Sequence, residues 1–245
     1  MWHKIFRGFT LAEVIIVVGI IGIVAELSIP TLYKDIQNQE LHTQFKKTYS
    51  ELNQIAIQFK QDNGITIPEY TASNWYTFTT EDFWKYFKGN NKVLHHTWGT
   101  ENILYKINSM NNKPGEQPSL GICDVSSYYS EISGKIYTFN DSNTLNTNGP
   151  IICVDINGIK KPNRYGRDNF LFIFTLDGTA IPMGQENKNN STITNFGGNF
   201  FVSGPENCER TSSYPSQFGC AYYALLNQHP TEIGKDYWHD FLNEK

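Results

Sequence analysis

The side chains best spaced to do chemistry lie in one segment, Asp155-Ile156-Asn157-Gly158-Ile159-Lys160-Lys161-Pro162-Asn163-Arg164-Tyr165-Gly166-Arg167-Asp168. Asp155, Asn157 and Asp168 offer hard oxygen atoms of the kind that calcium takes. The match to an EF-hand loop fails, because Gly158 comes too early and no terminal glutamate follows. The same residues also build turns, since Asn-Gly and Pro-Asn favour tight backbone and aspartates bond their own main chain. Turn building is the simpler reading, and calcium the chemical alternative. The six histidines form no ligand set by spacing. His95 and His96 are adjacent, so on a strand they point to opposite faces. No G-x-S-x-G, phosphate-binding loop or dinucleotide fingerprint occurs, and nothing argues for an enzyme.

The four cysteines are Cys123, Cys153, Cys208 and Cys220. None sits in a Cys-x-x-Cys pair, which disfavours zinc and thioredoxin-like chemistry. Outside the cytoplasm two disulfides are expected. Three pairings are possible, and Cys208–Cys220 with Cys123–Cys153 is preferred. The first would close a short C-terminal loop, and the second would tie two predicted strand segments. Four buried thiols are the alternative. A formal charge of −4, with no run of Lys or Arg longer than two, gives no footprint for nucleic acid.

These groups need elements to position them, and the first is a helix. Phe9 to Ile29 is long enough to cross a hydrocarbon core of about 30 Å. Val14 to Ala25 holds no charged or strongly polar residue. Pro30 falls at the end of that span, where a bend is expected. Beyond it Leu41, Phe45, Tyr49, Leu52, Ile55, Ala56 and Phe59 recur at helical spacing, and Asn63-Gly64 reads as a terminator. The helix is therefore expected to run from Phe9 to Asp62. A short helix is expected from Thr80 to Gly89, with Phe83, Trp84 and Phe87 packed inward. Strands are expected at Ile103–Ile107, Lys135–Phe139, Ile151–Ile156 and Phe170–Leu176, with a hairpin at Asp177-Gly178. Trp75, Trp84 and Trp98 are read as core in preference to a ligand platform. Cys220 to Leu226 reads as a short helix, and the tail with Tyr237, Trp238 and Phe241 as a last docking turn.

One residue breaks the apolar pattern. Glu13 stands just inside the span, after Arg7-Gly8-Phe9-Thr10-Leu11-Ala12. A carboxylate there is costly to insert and calls for a partner. This stretch resembles the processing and assembly segment of type IV pilins and type II secretion pseudopilins: Lys/Arg-Gly, then Phe-Thr-Leu, any residue, and Glu, heading a hydrophobic helix. The resemblance covers the first 30 residues or so. It implies cleavage between Gly8 and Phe9 by a prepilin peptidase and N-methylation of Phe9. It also implies pairing of Glu13 with the new amino terminus of a neighbouring subunit. The Asp155–Asp168 segment is similar to a loop of some type II secretion-like proteins, and some pseudopilins stabilise a head loop with calcium. Cys208…Cys220 resembles the disulfide-bounded C-terminal region of pilins.

The resulting expectation is an α+β chain shaped as a lollipop. Residues 1–8 form a leader, 9–30 a transmembrane and assembly helix, 31–63 an amphipathic stalk and 64–245 an antiparallel β-rich head. Its expected partners are the peptidase, homologous subunits, an inner-membrane assembly platform and the lipid bilayer. The amino terminus is expected in the cytoplasm and the head outside it, before entry into a filament. The rival reading is a signal-anchored binding protein or enzyme that never assembles.

Overall fold

The computed structural model describes residues 8–72, 81–88, 93–97, 110, 127–131, 134–139, 149–185, 194–195, 198–199, 207–211 and 217–244. The leader ahead of Gly8, the predicted strand Ile103–Ile107, Thr80, Trp75, Trp98 and Cys123 lie outside the described residues.

The first helix, α1, runs Leu11–Asn63, close to the span read from the sequence. Two compact units divide within it, the first ending at Glu40 and the second beginning at Leu41. In the first unit the apolar residues face outward: Ile15, Val18, Ile21, Ile23 and Ile29 are all exposed. Among the described residues, α1 is the one helix long and apolar enough to cross a membrane, with a mean hydropathy of 2.4 over its best window. Leaving that much aliphatic surface in water is unfavourable, at roughly 25 cal/mol per Å², so a lipid or protein cover is its natural surrounding. α1 passes through Pro30 without ending. Proline has no N–H to give the carbonyl of Glu26, so one backbone bond is forfeited there.

The second unit is built on a six-stranded antiparallel sheet in which spatial order follows chain order. Its strands are β1 Val93–Thr97, β2 Ser127–Glu131, β3 Ile136–Phe139, β4 Ile151–Asp155, β5 Asn169–Phe174 and β6 Ala180–Pro182. β3, β4 and β5 are buried along their whole length. That is why their sequences read as apolar runs and not as alternation. Register places Tyr137 opposite Val154, Val154 opposite Phe170 and Ile152 opposite Phe172. The β5–β6 hairpin turns at Asp177-Gly178 as expected, with Gly178 at φ +85° and the Thr175 amide donating to the Thr179 carbonyl at 2.8 Å. β7 Thr194–Asn195 and β8 Gly198–Asn199 form a separate two-stranded ladder.

The C-terminal part of α1 covers one face of the sheet. Leu41, Phe45, Leu52, Ala56 and Phe59 are buried, the stripe that helical spacing predicted. Phe45 meets Phe170 edge-on at 4.7 Å and Phe172 at 5.6 Å, and Tyr49 stacks on Phe172. Polar ties fix the register of helix on sheet: Asn53 Oδ1 accepts the Ala180 amide at 3.1 Å and Lys60 Nζ donates to the Asp177 carbonyl at 3.1 Å. Buried Lys135 pairs with Glu51. The short helix α2, Ile67–Ala72, and α3, Glu81–Lys88, follow. Phe83, Trp84 and Phe87 of α3 pack on Phe139, and Trp84 is 3% exposed, so it belongs to the core. Helix α4, Cys220–Leu226, approaches β5 and β6, with the Tyr222 amide donating to the Met183 carbonyl at 3.1 Å. A π-helical turn at Tyr237–Phe241 buries Tyr237, Trp238 and Phe241.

Candidate functional site

Two stretches singled out by their residues have a defined geometry. The first is the N-terminal segment. Gly8, Phe9 and Thr10 precede the helix in non-helical backbone, and Phe9 is 89% exposed. The Gly8–Phe9 peptide is thus accessible and free of helical hydrogen bonding. Glu13 reaches back to Thr10: one carboxylate oxygen accepts the Thr10 amide at 2.7 Å and the Thr10 hydroxyl at 2.8 Å. The Thr10 hydroxyl in turn accepts the Glu13 amide at 3.3 Å. This is a reciprocal capping box, in which a Thr and a Glu three residues on satisfy the free amides of a helix start. Within the single chain the carboxylate thus has a local partner, Thr10, which the sequence reading did not name. The signal was present as Thr-x-x-Glu.

The same chain provides a control. Thr66 and Glu69 make an identical set at the start of α2, with bonds of 2.6, 2.8 and 3.4 Å. α2 has no apolar span around it, so the capping geometry by itself carries no assembly meaning. What distinguishes Glu13 is its place at the head of the exposed aliphatic helix.

The second stretch is the loop between β4 and β5. Asp155 and Asp168 are both fully buried. Asp155 Oδ1 accepts the Asn157 amide at 3.2 Å in an Asx turn. The Asp168 carboxylate accepts the Asn163 amide at 3.0 Å and also the Arg164 amide. Gly158 has φ +72°, and a Cβ there would fall 1.8 Å from the Gly134 carbonyl oxygen, so only glycine fits. The two aspartates are therefore brought into one loop, where they hold its turns. Asn157 Oδ1 is buried with no hydrogen-bond partner among the described residues, whereas Asp168 is poorly placed as a calcium ligand. Asp168 is ringed by backbone N–H groups and stands beside the Arg167 cation, and calcium needs six to eight oxygens.

Burial pushes the Asp168 carboxyl up to about 6, against the opposing pull of the backbone amides and of Arg167. The folded chain then holds this proton more tightly than the unfolded chain. The contribution is complete below the unfolded value of 3.8 and is lost as pH rises through about 6. Two units correspond to about 3 kcal/mol. Between pH 7 and pH 4 wild type should gain stability relative to Asp168→Asn, measured by urea unfolding at each pH. Parallel curves for the two proteins would remove this role.

Cys208 and Cys220 are joined by a disulfide, as preferred from sequence. Cys153 is disulfide-bonded as well, and the proposed partner Cys123 is outside the described residues. The bond anchors a hub of distant segments. The Met110 amide donates to Gln217 Oε1 at 2.7 Å, Gln217 Nε2 to the Glu209 carbonyl at 3.2 Å, and the Tyr237 hydroxyl to the Gly166 carbonyl.

Two groups near the C terminus, His229 with Glu232 and Glu244 and Asp236 with His239 and Asp240, have ligand atoms within 4.8 Å of one another. Sequence spacing did not reveal them. In each group one or more ligand atoms are committed to backbone amides. His229 Nδ1 accepts the Glu232 amide at 2.9 Å and the Thr231 amide at 3.2 Å. That assignment leaves the proton on Nε2, which donates to Glu244 at 2.7 Å and is not free for a metal. Asp236 caps the π-helical turn through the His239 and Asp240 amides, and Asp240 accepts the Asp236 amide in return.

Comparison with protein-family models, with curated proteins and with solved structures finds no match. The functional meaning of the chain accordingly rests on the accessible Gly8–Phe9 peptide, the Glu13 carboxylate and the exposed apolar helix that follows them.

Proposed function

We propose that the chain is a structural subunit of a pilin-like filament, of the type II secretion or type IV pilus kind, matured by cleavage between Gly8 and Phe9 and methylation of Phe9. The observation that carries the reading is the junction itself: an exposed, non-helical Gly8-Phe9 directly ahead of a helix of 53 residues whose first part is uncovered and aliphatic. A membrane peptidase requires an accessible extended peptide, and a filament core requires apolar helices that can cover one another. Glu13, held by its own cap in the single chain, exchanges that contact for the amino group of a neighbour on assembly. Its charge would be worth more in that dry setting than in water.

The partners of this reading are a prepilin peptidase, related subunits, an inner-membrane platform and the bilayer, with the head outside the cytoplasm. Co-expression with and without prepilin peptidase tests it. The expected result is a mass reduced by residues 1–8 and a new terminus at Phe9. An unchanged mass and terminus would sink it.

A second reading has one observation in its favour. The Thr10–Glu13 box gives the acidic residue a local purpose, which a simple membrane anchor for a binding protein or enzyme would share. Glu13 substitutions separate the two readings.

A further inference from the structure

We propose that Glu26 docks against Lys34 of a second copy of the chain, an ion pair between parallel helices at the outer end of the apolar span. The inference rests on the filament reading and adds a second contact to it. Two carboxylates interrupt the aliphatic part of α1, Glu13 and Glu26. Glu13 is held by Thr10. Glu26 is exposed, and the positions one helical turn away from it are Gly22, Ile23, Ile29 and Pro30, none with a polar side chain. Its own helix therefore offers the carboxylate no partner. Because Pro30 brings no N–H, the Glu26 carbonyl is a second acceptor on the same residue.

The complementary charge stands on the same stretch. Lys34 is the one Lys or Arg between Gly8 and Glu40. It is exposed, and its neighbours one turn away are Pro30, Thr31, Gln37 and Asn38, all uncharged. Asp35 adjoins it in sequence but faces another side of the helix, half-buried and engaged elsewhere. Eight residues, about 12 Å along the helix, separate Glu26 from Lys34, and the single chain leaves both exposed.

A membrane admits every copy in one orientation, so neighbouring spans run parallel. Two parallel copies in register set Glu26 against Glu26 and Lys34 against Lys34. Raising one copy by about 12 Å brings its Glu26 level with Lys34 of the other. The proposed pairing of Glu13 with a neighbour's Phe9 calls for a shift in the same direction, of about 6 Å. A single stagger of about 9 Å leaves each pair within about 3 Å of level, inside the reach of long flexible side chains. The contact is head-to-tail: each copy presents Lys34 to the copy raised above it and Glu26 to the one below. It therefore propagates into a filament and does not close into a dimer. At the edge of the hydrocarbon layer the attraction exceeds its value in water.

The test uses the full chain in cells that carry the prepilin peptidase and the assembly platform. Carbodiimide joins a carboxylate to an amine in direct contact, and on wild type it is expected to give a covalent dimer linked from Glu26 to Lys34. Lys34→Arg, which keeps the charge but not the reactive amine, should lose that dimer and still enter filaments. Glu26→Lys and Lys34→Glu should each lower incorporation by about tenfold or more, and the two combined should restore it to within about twofold. Cleavage after Gly8 is scored in the same samples. Wild type that is cleaved and incorporated without the Glu26–Lys34 linkage overturns the pair and leaves the filament reading standing. So does a double variant no better than Glu26→Lys. Impairment confined to the Glu26 variant assigns the carboxylate to a lipid headgroup amine and also overturns the pair. Wild type that stays uncleaved sinks the filament reading, and the pair with it.

Discussion

Glu13→Ala should be cleaved and inserted like wild type and yet be lost from filaments, its incorporation falling by more than about tenfold. The structure makes a sharper experiment available through Glu13→Gln. In a capping box glutamine substitutes for glutamate, since its carbonyl oxygen still accepts the Thr10 amide and hydroxyl. The glutamine variant therefore keeps the helix start and loses only the charge. If assembly depends on attraction to a neighbour's amino group, both variants fail alike. If Glu13 only caps α1, the glutamine variant enters filaments normally and the alanine variant is mildly impaired. Immunoblots of sheared filaments against total membrane, with the amino terminus of each variant sequenced, give the answer. Normal incorporation of Glu13→Gln would remove the electrostatic argument.

Phe45→Ala should cost about 3–5 kcal/mol of unfolding free energy, the range for a large aromatic deleted from a closed core. Phe45 is fully buried and touches Phe170, Phe172 and Trp238 at 4.7, 5.6 and 5.8 Å. It therefore joins three elements distant in sequence: the helix, β5 and the C-terminal turn. The space left behind cannot collapse without moving all three. Ile57, on the same helix but 46% exposed, is the control, and Ile57→Ala should change stability by about 0.5 kcal/mol or less. Denaturant unfolding of the full chain in detergent, followed by tryptophan fluorescence, measures both. A loss below about 1 kcal/mol at Phe45 would mean that the helix is not seated on the sheet as described.

What could be read in the sequence was whatever a strong local pattern dictates. The stripe Leu41, Phe45, Leu52, Phe59 and the uniform apolarity of Ile151 to Val154 and Phe170 to Phe174 point to a covered helix and buried central strands without any knowledge of their partners. The Asp177-Gly178 turn and the Cys208–Cys220 pair were legible for the same reason, since both are short-range. β1 and β2 were not. Val93-Leu94-His95-His96-Thr97 and Ser127-Tyr128-Tyr129-Ser130-Glu131 show no apolar period, and their ladder comes from pairing with each other and with β3. α2 was also missed, although Thr66-Ile67-Pro68-Glu69 carries the same capping signature as Thr10-Leu11-Ala12-Glu13.

The loop aspartates illustrate the opposite limit. Their spacing suggested a ligand set, but which way a carboxylate turns is decided by the backbone around it. Asn163 and Arg164 present their amides to Asp168 only once Gly158 and Gly166 have set the path of the loop.

The chain-order sheet has a consequence for biogenesis. Each strand of β1 to β6 pairs with its immediate predecessor, so the sheet can be laid down strand by strand as the polypeptide emerges. The helical stripe of Leu41, Phe45 and Leu52 is made first and covered last, because Phe170 and Phe172 arrive only with β5. At ordinary elongation rates that interval is on the order of ten seconds. Throughout it the apolar stripe of the nascent helix stands without the sheet that covers it in the folded chain.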